Sequence, residues 1–315
     1  MGTVGKITDD GYASCSLLPR IWTKDVTTLD NCIRARKGES VRTPGNRITE
    51  MGNVLEEPCI RRAAELLGLE ELEVDVKKRF THDTLELQAS LDARAVANNL
   101  VIQDDSEWGI YTPGATKVLL NGPGVIENKV TRDYPAAELE EWRGLIQMQG
   151  QMEVMGYDWG VVSVLYQSTD FRLYVFKRDP TFAAVLAEKI NDFERRIQEE
   201  DYWPAKVPED VHKIYKDPYG KEDVIELDAS VEDTVKDLLA AKELEKNATA
   251  IVKDLNLKLM VELGNHVKGR AGEYDLSLGT ITRKPTPKKM VPANPGGTYR
   301  AKTVRVKRRA APVGS

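Results

Sequence analysis

Glu127 and Lys129 stand two residues apart in GVIENKV (124–130), a segment that reads as a strand, and a further carboxylate, Asp92, lies upstream in QASLDAR (88–94). Side chains alternate across a strand, so Glu127 and Lys129 project to one side and can address one cation and its attacking water. Hard divalent cations are held by carboxylates, Mg2+ keeping several waters of its own, and they neutralise charge on a phosphate. An Asp, a Glu and a Lys so spaced are the minimal kit for metal-dependent phosphodiester cleavage. In that chemistry Asp92 and Glu127 are the cation ligands, joined by the backbone carbonyl of Asn128. Lys129 orients the water or helps deprotonate it, and offsets phosphate charge.

Periodicity supplies the elements that must carry these residues. Residues 13–40 read as mostly helical and polar, with Pro19 an early break. From Glu56 to Leu67, the positions Ile60, Ala63, Ala64 and Leu67 keep a helical spacing and Gly68 is a stop, so Glu56 is placed near a helix start. ELEVDVKKRF, the turn THD and TLELQASLDA read as a β-hairpin. Its second arm puts Leu85, Leu87, Ala89 and Leu91 on one face, with Asp92 closing the strand on the other. TKVLL and GVIENKV predict a second hairpin around Asn121-Gly122-Pro123-Gly124. A helix is expected between Ala136 and Gly156, from Leu139, Trp142, Leu145, Ile146, Gln149 and Met152. Two strands follow, DWGVVSVLY and FRLYVFK. Asp179-Pro180 then opens a helix whose core stripe is Phe182, Val185, Leu186, Ile190, Phe193 and Ile197. A β-rich middle flanked by helices is an α/β layered domain, expected over residues 1–203.

Pro204 and Pro208 mark the expected boundary to a helical extension over 204–275. Its segment Ser230–Leu263 carries Val231, Val235, Leu238, Ile251, Leu255 and Leu259 at near-helical intervals, which suits a packed helical hairpin or a coiled-coil arm. Charge is segregated behind a net value of −5: residues 276–315 hold ten Lys and Arg and no acid, leaving 35 basic against 50 acidic residues in the rest, about −15. This tail, with Lys307, Arg308 and Arg309 near its end, is expected to be disordered and suits phosphate backbones. Cys15, Cys32 and Cys59 are widely spaced, and His82, His212 and His266 are scattered, so zinc or iron–sulfur ligation and histidine-centred catalysis are not expected. With no apolar run near 18 residues and no apolar N-terminal region, the sequence reads as a soluble cytosolic protein without a membrane partner.

The ordered set of Glu56, Asp92, Glu127, Lys129 and Gln147 resembles the YqaJ-type viral recombinases, relatives of phage lambda exonuclease within the PD-(D/E)XK nuclease superfamily. The segments that carry the resemblance are GNVLEEP (52–58), SLDA (90–93), VIENK (125–129), IQMQGQMEVMGYDWG (146–160) and DFRLYVFKRD (170–179), within residues 13–200. It implies a restriction-endonuclease-like core, a central mixed β-sheet flanked by helices, with a C-terminal helical extension and basic tail. It also implies a Mg2+-dependent exonuclease, with Mn2+ able to substitute, that resects linear double-stranded DNA 5′ to 3′ and leaves single strands for recombination by annealing. By the same resemblance Glu56 binds a second metal or its water shell, with Glu57 as a substitute. Gln147 holds the water or Lys129, with Gln149 and Gln151 as alternatives. Ser16, in SCSLLP (14–19), joins a pocket for the DNA end phosphate, where Arg20, Arg34 and Arg36 are candidate partners. Leu91 and Ala93 replace the proline and glycine usual beside the family's aspartate. Asn128 replaces an apolar residue, which predicts a strand less buried than its relatives.

A homo-oligomer, in the family a trimeric ring, a single-strand annealing partner and a phage-encoded protein acting in the bacterial host cytoplasm are further implications. Other readings are a structure-specific endonuclease of the same fold and a non-catalytic DNA-end-binding recombination protein. If the basic tail contacts phosphates, removing residues 280–315 weakens binding to duplex DNA and flattens the dependence of log Kd on log salt, each lost contact taking about 0.9 from the slope. Fluorescence anisotropy across a salt series measures this, and equal affinity with an unchanged slope would reduce the tail to a solubility element.

Overall fold

The computed structural model describes residues 8–41, 47–135, 139–216 and 224–278, and the chain divides into two compact units at Tyr215/Lys216. In the first unit a seven-stranded sheet is built from β1 (Ala13–Ser14), β2 (Glu70–Thr81), β3 (Leu87–Gln103), β4 (Ile110–Tyr111), β5 (Lys117–Thr131), β6 (Trp159–Tyr166) and β7 (Asp170–Lys177). Its order is β1-β3-β5-β6-β7-β4, with β2 paired to β3 off that path. The sheet is mixed: β5 runs parallel to β6, whereas the β2–β3, β3–β5 and β6–β7 pairs are antiparallel. Parallel strands need a long crossover, and here it is the segment carrying helix α4 (Ile146–Met155).

Both faces are covered, which is why a strand such as WGVVSVLY is buried at every position but Leu165 rather than alternating. On one face Val125, Val162, Val164 and Tyr166 pack with residues of α1 (Leu18–Trp22), α2 (Val26–Arg36), α4 and α5 (Phe182–Glu199). On the other, Ile126, Val161, Leu173 and Val175 pack with Ile60, Ala63 and Leu67 of α3 (Arg47–Leu67). Trp203 stacks on Phe193 of α5, and Tyr202 donates to Asp30 of α2, so the chain beyond α5 still belongs to this unit, as does α6 (Pro208–Ile214).

Several expectations are corrected. Residues 13–40 are not polar: Leu18, Ile21, Val26, Leu29, Cys32 and Ile33 lie in the core, and Pro19 sits in the first turn of α1, where its missing N–H has no helical partner to lose. Helix α3 begins at Arg47, so Glu56 lies in its interior, and Pro58 is accommodated without ending it. β3 runs on to Gln103, which puts Asp92 within a strand rather than at its end. Val185 is largely exposed and does not belong to the core stripe of α5.

The predicted turn at Asn121-Gly122-Pro123-Gly124 is continuous strand. Gly122, Pro123 and Gly124 pair with Ala97, Val96 and Ala95 of β3, so the ladder rather than a reversal uses them. Gly122 takes a φ of 73° and its carbonyl accepts the indole N–H of Trp159 at 3.1 Å, while a Cβ on Gly124 would lie 2.2 Å from the Trp159 ring. Turn-forming chemistry here serves a bend and a close approach.

In the second unit α7 (Ala229–Leu263) is one continuous helix of 35 residues, capped by Asp228 accepting from the Ser230 N–H and ended at Gly264. It is not a helical hairpin, and beyond it β8 (Lys268–Ala271) and β9 (Tyr274–Ser277) form a strand hairpin. The tail beyond Leu278 lies outside the described residues. Among the described residues no helix is long and apolar enough to cross a membrane.

Because Trp159 is fully buried, Gly124→Ala forces a methyl into its ring and should destabilise the first unit by about 1–3 kcal/mol. Urea unfolding measures this; an unchanged midpoint would mean that the close approach is not a constraint.

Candidate active site at a gap in the sheet

β3 has β2 on one edge, pairing from Gln88 to Val96. Its other edge is divided between two strands: β1 takes Leu87 and Gln88, and β5 joins only from Ala93 onward. The edge between them, residues 89–92, is therefore a gap in the sheet. Backbone groups bordering it are met by side chains. The Asp92 carboxylate accepts the Asn128 N–H at 2.9 Å, and Gln151 of α4 donates to the Ser90 carbonyl at 3.0 Å. In an extended strand a residue's N–H and C=O point to the same edge, so the Asn128 carbonyl opens onto this gap as well.

Glu127 and Lys129 do share a face. The Lys129 ammonium lies 2.5 Å from Glu127 Oε1 and donates to Gln147 Oε1 at 3.1 Å, while Glu127 Oε2 accepts from Gln151 at 2.8 Å. Glu127 is only 1% exposed. Gln147 reaches Lys129 and Gln151 reaches Glu127 because residues four apart lie on one stripe of a helix. Gln149, two residues on from Gln147, points away and bonds the Lys177 carbonyl and the Asp179 N–H. Of the three glutamines considered from sequence, Gln147 and Gln151 therefore meet the site. The expected helix over 136–156 is broken before α4: Arg143 and Gly144 leave helical geometry, and Gly144, at φ 113°, lays its backbone against the Lys129 stem.

Electrostatics favours a cation here. Burial first, then the Glu127 charge, push Asp92 well above the usual carboxylate range, although Lys129 and the Asn128 N–H oppose the shift. Glu56 is raised by burial and by Glu127. For Lys129 burial works against the ammonium, but the charges of Glu127 and Asp92 outweigh it and its pKa is raised. Three carboxylates thus face one ammonium. Cys15 also feels Glu127, and burial and that charge keep it a thiol, so no thiolate joins the donor set. Among the described residues no three Asp, Glu, His or Cys side chains converge into a cage. Two carboxylates and a carbonyl, all hard oxygen donors, fit Mg2+ or Mn2+ retaining its own waters. Glu56 acts on the pair through space.

Other sequence candidates fall as follows. Glu57 is turned outward and paired with Arg61 at 2.7 Å, so of the two neighbouring acids it is Glu56 that faces the cluster. Leu91 and Ala93 pair with Val76 and Val74, and no turn is required around Asp92. Asn128 is not solvated: it is buried, and its Oδ1 accepts from Ser163 of the adjacent strand at 2.8 Å, which corrects the expectation of a less buried strand. Ser16 is exposed in the 3-10 turn Cys15–Leu17, its hydroxyl 3.1 Å from that of Ser14. Arg36 is engaged with the Gly11 carbonyl and Glu194, and Arg34 with Glu39, while Arg20 is exposed. Lys307, Arg308 and Arg309 lie outside the described residues.

The architecture is that of a mixed α/β domain with its polar cluster at the point where the central strands part. Among solved structures it is similar to LHK-Exo in complex with dAMP, with 16% identity, a TM-score of 0.45 and coverage of 62% of this chain and 91% of that one. It is similar also to an alkaline exonuclease, LHK-Exo, from Laribacter hongkongensis, at 17% identity and a TM-score of 0.44, covering 61% and 90% of the two chains. A phage-related exonuclease from Haemophilus somnus 129PT matches at 13% identity and a TM-score of 0.40, covering 60% and 94%. The sequence matches no family model and no curated protein. These likenesses concern the fold, and the chemistry rests on the residues at the gap.

An unfolded aspartate titrates near about 3.9, and the folded Asp92 above it, so the folded protein keeps a proton that the unfolded chain has lost. Stability from this group is full below about pH 4 and is lost as pH rises through the native value. Asp92→Asn retains an oxygen for the Asn128 N–H and removes that loss. In EDTA at pH 8 the variant should melt at least about 2 °C above the wild type, the shift of about 1 kcal/mol in a domain of this size, with the difference vanishing near pH 4. Thermal unfolding at the two pH values measures it, and a lower melting point for the variant at pH 8 contradicts it.

Proposed function

We propose that this chain is a metal-dependent deoxyribonuclease, an exonuclease that resects linear duplex DNA. The observation that carries the reading is the meeting of Asp92, Glu127, Lys129 and Gln147, from β3, β5 and α4, at the gap in the sheet. Asp92, Glu127 and the Asn128 carbonyl would hold Mg2+, which when bound supplies Lewis acidity and a more acidic water. Lys129 acts as an ammonium: with its pKa raised, it neutralises charge on the phosphate and orients the attacking water rather than accepting its proton. Gln147 accepts from that ammonium alongside Glu127. Glu56 adds negative charge at longer range and is suited to the water shell of a cation.

The resemblance of the sequence to phage-type recombination nucleases supports the finer assignment. It comprises 5′-to-3′ polarity, Mn2+ as a substitute, and overhangs passed to an annealing protein. It further supports a homo-oligomer in the cytoplasm of a bacterial host, with Ser16 beside the end phosphate. Purified protein should degrade linear duplex in Mg2+ and stop in EDTA, and should leave a covalently closed circle intact. Asp92→Ala, Glu127→Ala and Lys129→Met should each reduce the rate by about 100-fold or more. Wild-type rates in the Asp92 and Glu127 variants would overturn the assignment, and cutting of the closed circle would select an endonuclease instead.

A further inference from the structure

Gln151 is fully buried. Its side-chain nitrogen makes two donations, to Glu127 Oε2 at 2.8 Å and to the Ser90 carbonyl at 3.0 Å. A backbone carbonyl can only accept, so the bond to Ser90 fixes which way the amide faces. Its oxygen then has no donor among the described residues, an unusual state for a group with no exposure. The two bonds tie together three elements at the gap: Ser90 on β3, Glu127 on β5 and α4 itself. Lys129 holds the other oxygen of Glu127, so the carboxylate is clamped at both ends and its rotation is removed.

Resting on the nuclease reading above, we propose that Gln151 is a positioning residue for the cation. It presets the Glu127 carboxylate for metal binding and offers its free amide oxygen to a water carried in with the ion. Partners that orient a metal ligand in this manner typically alter affinity or activity by about 10–100-fold when removed. Gln149 provides the contrast within the same helix. It too is buried and makes two hydrogen bonds, but to the Lys177 carbonyl and the Asp179 N–H, away from Glu127.

The test uses the full chain and Mn2+ as the probe, with free Mn2+ counted by electron paramagnetic resonance in the absence of DNA. Gln151→Met, close in shape but without donor or amide oxygen, should weaken Mn2+ binding about 10-fold or more and raise the Mg2+ concentration for half-maximal cleavage, while KM for linear duplex stays unchanged. Gln149→Met should lower the melting temperature but leave Mn2+ affinity within about twofold. The inference is overturned if Gln151→Met binds Mn2+ as the wild type does, or if Gln149→Met weakens binding equally, since either result makes Gln151 an ordinary structural amide. Failure of the nuclease reading looks different: the wild type itself would then neither bind Mn2+ nor cleave DNA.

Discussion

A carboxylate with 1% exposure in the middle of a sheet is the constraint from which the rest follows. An ionised Glu127 away from water is costly unless it is paired and hydrogen-bonded, and each oxygen has its partner: Lys129 on one, Gln151 on the other. The ammonium in turn requires Gln147, and Gln147 and Gln151 require a helix laid across β5 at that point. Asp92 adds a second carboxylate close enough for the two charges to oppose one another. Lys129 alone cannot balance Asp92, Glu127 and Glu56, so the cluster is relieved by a proton or by a cation. Such an arrangement is poor as a stabilising device and well suited to binding a divalent ion.

The surrounding fold explains how this polarity is tolerated. Sheet and helices bury apolar side chains on both faces, and at residues 89–92 the edge of β3 between β1 and β5 lacks a strand. Side chains replace the missing ladder there, Asp92 meeting the Asn128 N–H and Gln151 the Ser90 carbonyl. Gly144 brings the chain against the Lys129 stem, and buried Arg143, paired with Asp133 and Glu140, anchors that turn to the segment following β5.

Features governed by local periodicity were legible in the sequence. The two-residue spacing of Glu127 and Lys129 placed them on one face, and Asp92 was placed on a different strand from Glu127. Among the glutamines the sequence left 147, 149 and 151 as alternatives, and the structure separates them because 151 shares a helix stripe with 147 and 149 does not. Non-local pairing was not legible. The gap exists because β1 and β5 divide one edge of β3, and no short window of sequence encodes that. Asn121-Gly122-Pro123-Gly124 carries turn chemistry, but Trp159, more than thirty residues away, decides its use. The break at Gly144 was hidden by an apolar pattern that continues through it, and the cross-strand partner of Asn128, Ser163, becomes apparent only when β5 and β6 are paired.

The central claim is that Asp92 and Glu127, with the carbonyl of Asn128, share one divalent cation at this gap. Anomalous diffraction from crystals of the full chain soaked in Mn2+ tests it most directly. The account predicts a single strong peak within about 2.0–2.4 Å of an oxygen from each of these residues, with waters completing the shell. Manganese bound elsewhere, with the Lys129–Glu127 and Asp92–Asn128 contacts undisturbed in its presence, would contradict it.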